Sequence, residues 1–272
     1  MLKRTLTGAG LIVVLVAVLL LLPKVFTAVL LSVMVAIAAD ELLRTTGLVT
    51  NTSLVCYACV TAVAVVWLCY CGLPYAYWLA VVLVFTVLCF SEVLKSHGQL
   101  PFQQVAMTMV AGMLIPFLLS ALVRIVLMDN GRFLVVAPFV MAFMTDTGAY
   151  LVGCAIGKHK LCPVISPKKT VEGLFGGILG GMIGMIVYGI VLQKAFGFQV
   201  NYLYAALYGA VGAGAATFGD LMFSVIKRQT GIKDYGKLLP GHGGILDRFD
   251  SVTIVAPLAE VQIGRASCRE RV

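Results

Sequence analysis

The sequence predicts an all-α fold, a polytopic bundle of transmembrane helices. Hydrophobic residues make up 61% of the 272 residues and charged residues only 12%, and the mean hydropathy is +1.02. Too few charged side chains are present to cover a soluble domain, so lipid must be the main solvent. Several apolar segments also approach the length of about 20 residues that a helix needs to cross the hydrocarbon core.

The apolar segments predict eight full spans and a truncated ninth. The eight cover residues 8–22, 26–39, 53–73, 75–94, 106–128, 133–156, 171–192 and 203–226, and the ninth begins at residue 252. In the seventh span, glycine recurs every four residues in two rows, which are Gly173, Gly177 and Gly181, and Gly176, Gly180 and Gly184. Such rows let membrane helices approach closely, so we predict tight helix packing there.

Basic residues are unevenly distributed between the two sides of this topology. With the N-terminus inside, thirteen lysines and arginines fall in inner segments and four in outer segments. Because positive charge concentrates on the cytoplasmic side, we expect a cytoplasmic N-terminus. The net charge of +8 has no soluble basic domain to carry it. This favours anionic lipid headgroups and phosphorylated substrates over nucleic acid as partners.

Two acidic residues fall inside predicted spans, where a charge is costly without a partner or a function. Asp220 is followed by Ser224 and Lys227, so a carboxylate, a hydroxyl and an ammonium share one helical stripe. We expect this stripe to run to the cytoplasmic surface. For Asp146, in the sixth span, a helix-capping or buried hydrogen-bonding role is an equally good explanation.

The segment of residues 224–250 contains eight charged side chains and a run of glycines. Asp247 and Asp250 are three residues apart, so at a helix start they share a face and can join Asp220 as oxygen ligands of a hard cation. Glycines around His242, among them Gly243 and Gly244, let backbone amides approach oxyanions.

Positive charge in the same segment comes from Lys227, Arg228, Lys233 and Arg248, and Asp234 lies among them. Carboxylates combined with cations favour magnesium-assisted phosphoryl or nucleotidyl transfer. The simpler alternative is a positive-inside loop whose acidic residues are incidental.

A second inner loop precedes the seventh span. Ser166 is predicted to be a helix N-cap with Pro167 at the first helical position. Lys168 and Lys169 follow directly, so the helix N-terminus would suit a phosphate or a lipid headgroup. Attraction of these lysines to the membrane surface alone explains the pattern equally well.

The order of these motifs resembles the signature of one family, the phosphatidate cytidylyltransferases, also called CDP-diacylglycerol synthases. The similar segments are Ser224-Val-Ile-Lys-Arg228, Lys233-Asp234, Pro240-Gly-His-Gly-Gly-Ile-Leu-Asp-Arg-Phe-Asp250, Asp146-Thr-Gly-Ala-Tyr150 and Ser166-Pro-Lys-Lys-Thr-Val-Glu-Gly173. The resemblance covers most of the chain and is weakest before Ala39.

The resemblance implies a membrane enzyme that condenses CTP with phosphatidate to give CDP-diacylglycerol and pyrophosphate. It implies Mg²⁺ as the cofactor and leaves open whether a second cation is bound. It also implies a homodimer in the bacterial inner membrane, with the active site facing the cytoplasm. Catalytic roles would fall to Asp220, Asp247, Lys227 and Arg228. Asp220 and Asp247 would hold the metal, with Asp250 and Asp146 as further candidates. The substrate-binding set would be Ser224, Lys233, Asp234, His242, Gly243, Gly244, Arg248, Lys168 and Lys169.

Two other function classes use similar residues. A transporter of an anionic lipid or nucleotide would place polar groups and broken helices near mid-membrane, whereas most charges here gather at inner helix ends. A CDP-alcohol or phosphoglycosyl transferase would also use aspartates and magnesium, but the sequence lacks an Asp-Asp pair.

The C-terminal segment departs from the family pattern. A full span is expected after Asp250, yet the apolar run from Val252 to Ala259 is far shorter than the about 20 residues required. The charged residues that follow contradict the orientation of the rest of the chain. We therefore expect one integral membrane catalytic domain over residues 1–260 and a non-native tail over residues 261–272.

Overall fold

The structure is a computed structural model that describes residue 10, residues 15–238 and residues 243–269, the last five by their backbone only. The described chain is almost entirely helical. It divides into two compact units, Met1–Asp129 with Lys227–Phe249, and Asn130–Ile226 with Asp250–Val272. Two helices cross the boundary between these ranges, so each contributes residues to both units.

The first unit begins with helical residues 15–20, followed by a series of longer helices. These are α1 (Lys24–Asp40) with a π-helical turn (Glu41–Thr45), α2 (Thr52–Cys71), α3 (Tyr75–Lys95), α4 (Phe102–Met109) with a second π-helical turn (Val110–Leu114), α5 (Ile115–Leu119) and α6 (Ala121–Leu127). Helix α2 shows why a segment begins and ends where it does. The Asn51 side chain accepts hydrogen bonds from Ser53 N and Leu54 N, and Gly72 ends the helix in the left-handed conformation.

Packing in the first unit is centred on α2, which contacts α1, α3 and the α4–α6 segment. The helices approach closely at Gly112, where a Cβ atom would lie 2.9 Å from Cα of Ala58 and 2.8 Å from Cζ of Phe85. A side chain at residue 112 would therefore push the second π-helical turn away from α2. Small residues permit such backbone contact between helices.

The second unit contains the remaining helices and one hairpin. These elements are α7 (Gly131–Leu134), α8 (Ala137–Ile156), β1 (Lys160–Cys162), β2 (Ser166–Thr170), α9 (Val171–Phe196), α10 (Tyr202–Gln229) and α11 (Leu246–Arg269). The two strands pair antiparallel, with Lys160 opposite Thr170 and Cys162 opposite Ser166. Helix α10 passes into the first unit after Ile226, and α11 enters the second unit at Asp250.

The predicted glycine packing is confirmed within the second unit. A Cβ atom at Gly176 would overlap Val152, and one at Gly180 would overlap the carbonyl oxygen of Met144. Gly181 approaches the backbone of Gly209 on α10 in the same way. The glycine rows therefore place the backbone of α9 directly against its neighbours α8 and α10.

Seven helical segments of the described chain are long and apolar enough to cross a membrane, by length and composition. They are Lys24–Thr45, Thr52–Cys71, Tyr75–Lys95, Phe102–Leu127, Gly131–Ile156, Val171–Phe196 and Tyr202–Gln229. They correspond to seven of the eight predicted full spans. Six of the fifteen residues of the other, residues 8–22, fall outside the described residues, so the count of eight is not confirmed.

Residues 224–250 are called the charged segment below. The helix that begins at its end, α11, is longer than the apolar run from Val252 to Ala259. Helix α11 extends over 24 residues, from Leu246 to Arg269, with Pro257 in its interior. It is not among the seven segments apolar enough to span. The foreign origin of residues 261–272 stays a prediction.

Candidate active site

Asp247, the second residue of α11, is held by three hydrogen-bond donors within the first unit. Lys227 Nζ donates to its Oδ1 at 3.0 Å, while the backbone amides of Tyr235 and Gly244 donate to Oδ2 at 2.7 and 3.0 Å. The side chains of Asp247 and Lys227 are only 3% and 12% exposed. The pair is therefore a desolvated ion pair, and removing either partner would leave a buried charge without its counter-charge.

Tyr235 anchors the segment between α10 and α11. It is fully buried, and its ring lies 5.3 Å from Lys227 Nζ, measured to the ring centroid. A cation over an aromatic face is attracted by the ring, most strongly where water is excluded. The ring and the Asp247 carboxylate together fix the position of the Lys227 ammonium.

The glycines of this segment contact oxyanions, as predicted, but the oxyanions belong to the chain itself. The amide of Gly244 binds Asp247, and the two amides that follow bind another carboxylate, that of Glu41. Gly243 has φ of +82°, and a Cβ atom there would lie 2.8 Å from Asp247 Oδ2. The amides of this turn therefore bind side-chain carboxylates in the structure, and the predicted contact of Gly243 and Gly244 with a substrate phosphate stays a prediction.

Glu41 is a residue of this site that the sequence did not indicate. It lies in the π-helical turn after α1, is 7% exposed, and accepts hydrogen bonds from Ile245 N at 3.1 Å and Leu246 N at 2.9 Å. The available signal is an acidic residue directly after an apolar run. The predicted span ends at residue 39, so Glu41 falls between two predicted spans.

The other predicted residues of the first unit lie at its surface. Arg228, Lys233, Asp234 and Arg248 are all exposed, and Gly243 is half-buried. Their exposure leaves three cationic side chains accessible to an anionic solute. His242 lies outside the described residues.

In the second unit, Lys169 on β2 and Asp220 on α10 form an ion pair, each with about a quarter of its side chain exposed. The sequence assigned these residues to phosphate binding and metal binding separately, and their pairing was not predicted. Helix α10 is continuous through Asp220, Ser224 and Lys227, which confirms the helical stripe.

The hairpin before α9 corrects one prediction. Ser166 and Pro167 belong to strand β2 and do not start a helix. Thr170 is the N-cap of α9, since its Oγ1 accepts a hydrogen bond from Gly173 N at 3.1 Å. Strand pairing with Lys160–Cys162 keeps the chain extended through Thr170, which overrides the local Ser-Pro capping pattern.

The base of this hairpin is closed by Glu172. Its carboxylate accepts hydrogen bonds from the amides of Lys158 and His159 at 3.1 and 3.2 Å, and it lies 2.6 Å from His159 Nδ1. Lys168 is exposed, as are Lys158 and Lys160. The hairpin therefore presents basic side chains to solvent while Glu172 fixes its backbone.

Three further predicted residues lie on helices of the second unit. Asp146 is exposed in the interior of α8, so it is neither at a helix terminus nor buried, and its assignment to the metal stays a prediction. Ser224 and Asp250 are buried. Asp250 Oδ1 accepts a hydrogen bond from Ser251 N at 2.7 Å. Asp250 and Asp247 both lie in the first turns of α11, as the sequence predicted.

Comparison with known proteins assigns the chain to a family. The model of the cytidylyltransferase family matches residues 2–264. The chain belongs to the cytidylyltransferase family. The resemblance seen in the motifs is thereby confirmed.

Several curated relatives of the chain come from staphylococci. Phosphatidate cytidylyltransferases of Staphylococcus epidermidis and Staphylococcus haemolyticus are 45% and 43% identical over 133 residues, and that of Staphylococcus aureus is 41% identical over 140 residues. Each alignment covers 49% of this chain and 50% of the relative. The chain thus spans about half the length of the curated relatives it matches.

The metal predicted from the sequence has no all-protein cage among the described residues, where no three His, Cys, Asp or Glu side chains form a group that could hold an ion. Magnesium typically binds through one or two carboxylates plus substrate phosphates. A carboxylate offers about four lone-pair positions, of which the hydrogen bonds to Asp247 use three. Asp247 therefore fits a magnesium ion that arrives with a nucleotide, and the metal assignment stays a prediction.

Proposed function

We propose that this protein is a phosphatidate cytidylyltransferase, condensing CTP with phosphatidate to give CDP-diacylglycerol and pyrophosphate in phospholipid biosynthesis. Family membership and the names of the staphylococcal relatives support the reaction class. The observation that carries the proposal is the buried Lys227–Asp247 pair within a segment rich in exposed cations. A buried charge pair is costly, and such groups concentrate at functional sites.

The reaction makes simple demands on the protein. A phosphatidate oxygen attacks the α-phosphorus of CTP, a new P–O bond forms, and the bond to the oxygen bridging the β-phosphorus breaks, releasing pyrophosphate. The attacking phosphate monoester is already largely ionised at neutral pH, because its second pKa is about 6. No general base is needed. The protein must bring two anions together and stabilise charge on the leaving group.

The residues of the first unit suit that task. Lys227 holds a positive charge at a fixed point, since Asp247 and the Tyr235 ring orient its ammonium. Exposed Arg228, Lys233 and Arg248 would bind phosphate oxygens, with arginine suited to bidentate contacts. Fixed cations stabilise developing negative charge without reorganising during the reaction.

The residues of the second unit would contribute to phosphate and lipid binding. Lys168 is exposed on the hairpin, and Lys169 is oriented by its ion pair with Asp220. We assign both lysines to the substrate phosphates. The hairpin lies between the segments Gly131–Ile156 and Val171–Phe196, both long and apolar enough to span, so its lysines border the membrane surface.

Magnesium is the proposed cofactor, and the carboxylates proposed to hold it are Asp220, Asp247, Asp250 and Asp146. When bound with the nucleotide, magnesium would neutralise phosphate charge and polarise the reacting phosphoryl group. We further propose a homodimer in the bacterial inner membrane with the site facing the cytoplasm. The positive-inside distribution of the basic residues supports this orientation.

The direct test uses purified full-length protein, labelled CTP and phosphatidate in mixed micelles. Labelled CDP-diacylglycerol and pyrophosphate are expected in equal amounts only when phosphatidate and a divalent cation are both present. Movement of nucleotide or lipid across vesicles without CTP turnover would instead support a transporter. Turnover of CDP-diacylglycerol with an alcohol, and none of CTP, would support a CDP-alcohol transferase.

A further inference from the structure

Glu41 links two distant parts of the first unit through an unusual capping interaction. The first four amides of an α-helix have no partner within the helix. At the start of α11, the amides of Ile245 and Leu246 donate to the two oxygens of Glu41, from more than 200 positions further along the chain. A carboxylate at a helix N-terminus is also favoured by the helix dipole. A single buried side chain thus satisfies two donors of this helix.

The surroundings of Glu41 are shaped to admit its carboxylate. A Cβ atom at Gly236 or at Gly244 would overlap the Glu41 carboxylate. Glycine at both positions therefore lets the backbone of the charged segment close around this side chain. The Glu41 side chain therefore lies against two separate stretches, one at Gly236 and one at residues 244–246.

The turn that Glu41 holds is the turn that holds Asp247. The amide of Gly244 donates to Asp247 Oδ2, and the next two amides donate to Glu41. Consecutive amides of one turn thus bind two different carboxylates. If Glu41 released Ile245 and Leu246, the turn could move and take the Gly244 donor away from Asp247.

We propose that Glu41 is a positioning residue, which clamps the 244–247 turn and so fixes the Asp247 carboxylate and its Lys227 partner. Its consequence for turnover rests on the proposed cytidylyltransferase function. Glu41 is buried and each of its oxygens accepts a backbone hydrogen bond, so it acts through the turn and not on the substrate.

Glu92 provides a matched control within the same unit. It is likewise a buried acidic residue at the end of an apolar segment, 8% exposed. Its hydrogen bonds come from Lys95 Nζ at 2.7 Å and Tyr57 OH at 3.2 Å. Replacing Glu92 removes a buried carboxylate of the same kind without touching the 244–247 turn.

The test compares amide hydrogen exchange and turnover in full-length wild-type protein, Glu41→Ala, Glu41→Gln and Glu92→Ala. In Glu41→Ala we expect exchange of the Ile245 and Leu246 amides to rise about tenfold or more, because each loses a hydrogen bond to a charged group. Glu41→Gln is nearly isosteric and keeps one acceptor oxygen, so an intermediate rise is expected. Glu92→Ala should leave these two amides unchanged.

Measurements of kcat and KM then distinguish a positioning role of Glu41 from a purely structural one. We expect kcat to fall about tenfold or more in Glu41→Ala, while KM for CTP changes less than about threefold, since the exposed cations remain in place. Unchanged exchange in both Glu41 variants, or an equal rise in Glu92→Ala, would overturn the clamp. If Glu41→Ala raises the exchange of the Ile245 and Leu246 amides but leaves kcat unchanged, the positioning role is overturned. Absence of any CTP turnover in the wild-type protein would reject the proposed function, while the exchange data would still decide the clamp.

Discussion

The Lys227 ammonium lies 3.0 Å from the Asp247 carboxylate, although 20 positions separate the two residues in the sequence. One residue is near the end of α10 and the other near the start of α11, so the pair closes the charged segment between these helices. Buried ion pairs contribute little net stability compared with apolar packing, yet breaking one is costly. The pair is therefore best explained as a device that fixes a lysine and a carboxylate for chemistry.

Lys227→Met should destabilise the protein and abolish turnover. The substitution keeps an unbranched side chain of similar length but leaves Asp247 buried without its counter-charge, at a cost of about 3–5 kcal/mol. Thermal unfolding in detergent, followed at several scan rates, measures the change. Lys237→Met is the control, because Lys237 is exposed in the same segment and its loss should shift the midpoint little. Equal midpoints for the two variants would contradict the buried-pair account.

Gly243→Ala should reduce turnover more than Gly231→Ala does. Both glycines have positive φ, +82° and +72°, so both alanines carry a similar backbone strain of about 1 kcal/mol. Only at Gly243 would the new Cβ meet Asp247 Oδ2, at 2.8 Å, whereas nothing lies within 4 Å at Gly231. Parallel measurements of kcat and the unfolding midpoint separate the loss of stability from backbone strain, which both variants share, from the effect of displacing Asp247, which only Gly243→Ala has. The prediction is wrong if both variants lose the same fraction of activity.

Lys169 and Asp220 should be energetically coupled within the second unit. We expect Lys169→Met, Asp220→Asn and the double variant to form a non-additive cycle, with a coupling of about 0.5–3 kcal/mol in unfolding. Partial exposure of both side chains places the expected value toward the lower end, since solvent screens the pair. Strict additivity would show that the contact carries no energy. Turnover measured in parallel should fall in both single variants.

Local properties of the sequence were sufficient to predict seven of the apolar spans and the family. An apolar run long enough to span, or a glycine every four residues, constrains the helix that contains it, and segments such as Val171–Phe196 were found correctly. The spacing of Asp247 and Asp250 correctly placed both at a helix start. The carboxylates, basic side chains and glycines of the segment 224–250 indicated phosphate chemistry before any of their contacts were known.

Non-local contacts could not be predicted in this way. Glu41 was missed because its partners are backbone amides far along the chain, which have no sequence signature. Ser166 was assigned to a helix start because Ser-Pro is a local capping pattern, whereas pairing with Lys160–Cys162 decided the outcome. The ion pair of Lys169 with Asp220 likewise requires the fold. Each of these errors concerns an interaction that tertiary structure creates.

The most direct test of the central claim is CTP turnover by Asp247→Asn, with Glu92→Gln as the matched carboxylate-to-amide control. Asparagine keeps the shape of Asp247 but removes its charge and one acceptor, so Lys227 and two backbone amides cannot all remain satisfied. We predict that CDP-diacylglycerol formation falls about a hundredfold or more, while the control retains its activity. Turnover within about twofold of wild type, in Asp247→Asn protein that is equally folded, would contradict the assignment of Asp247 to the active site.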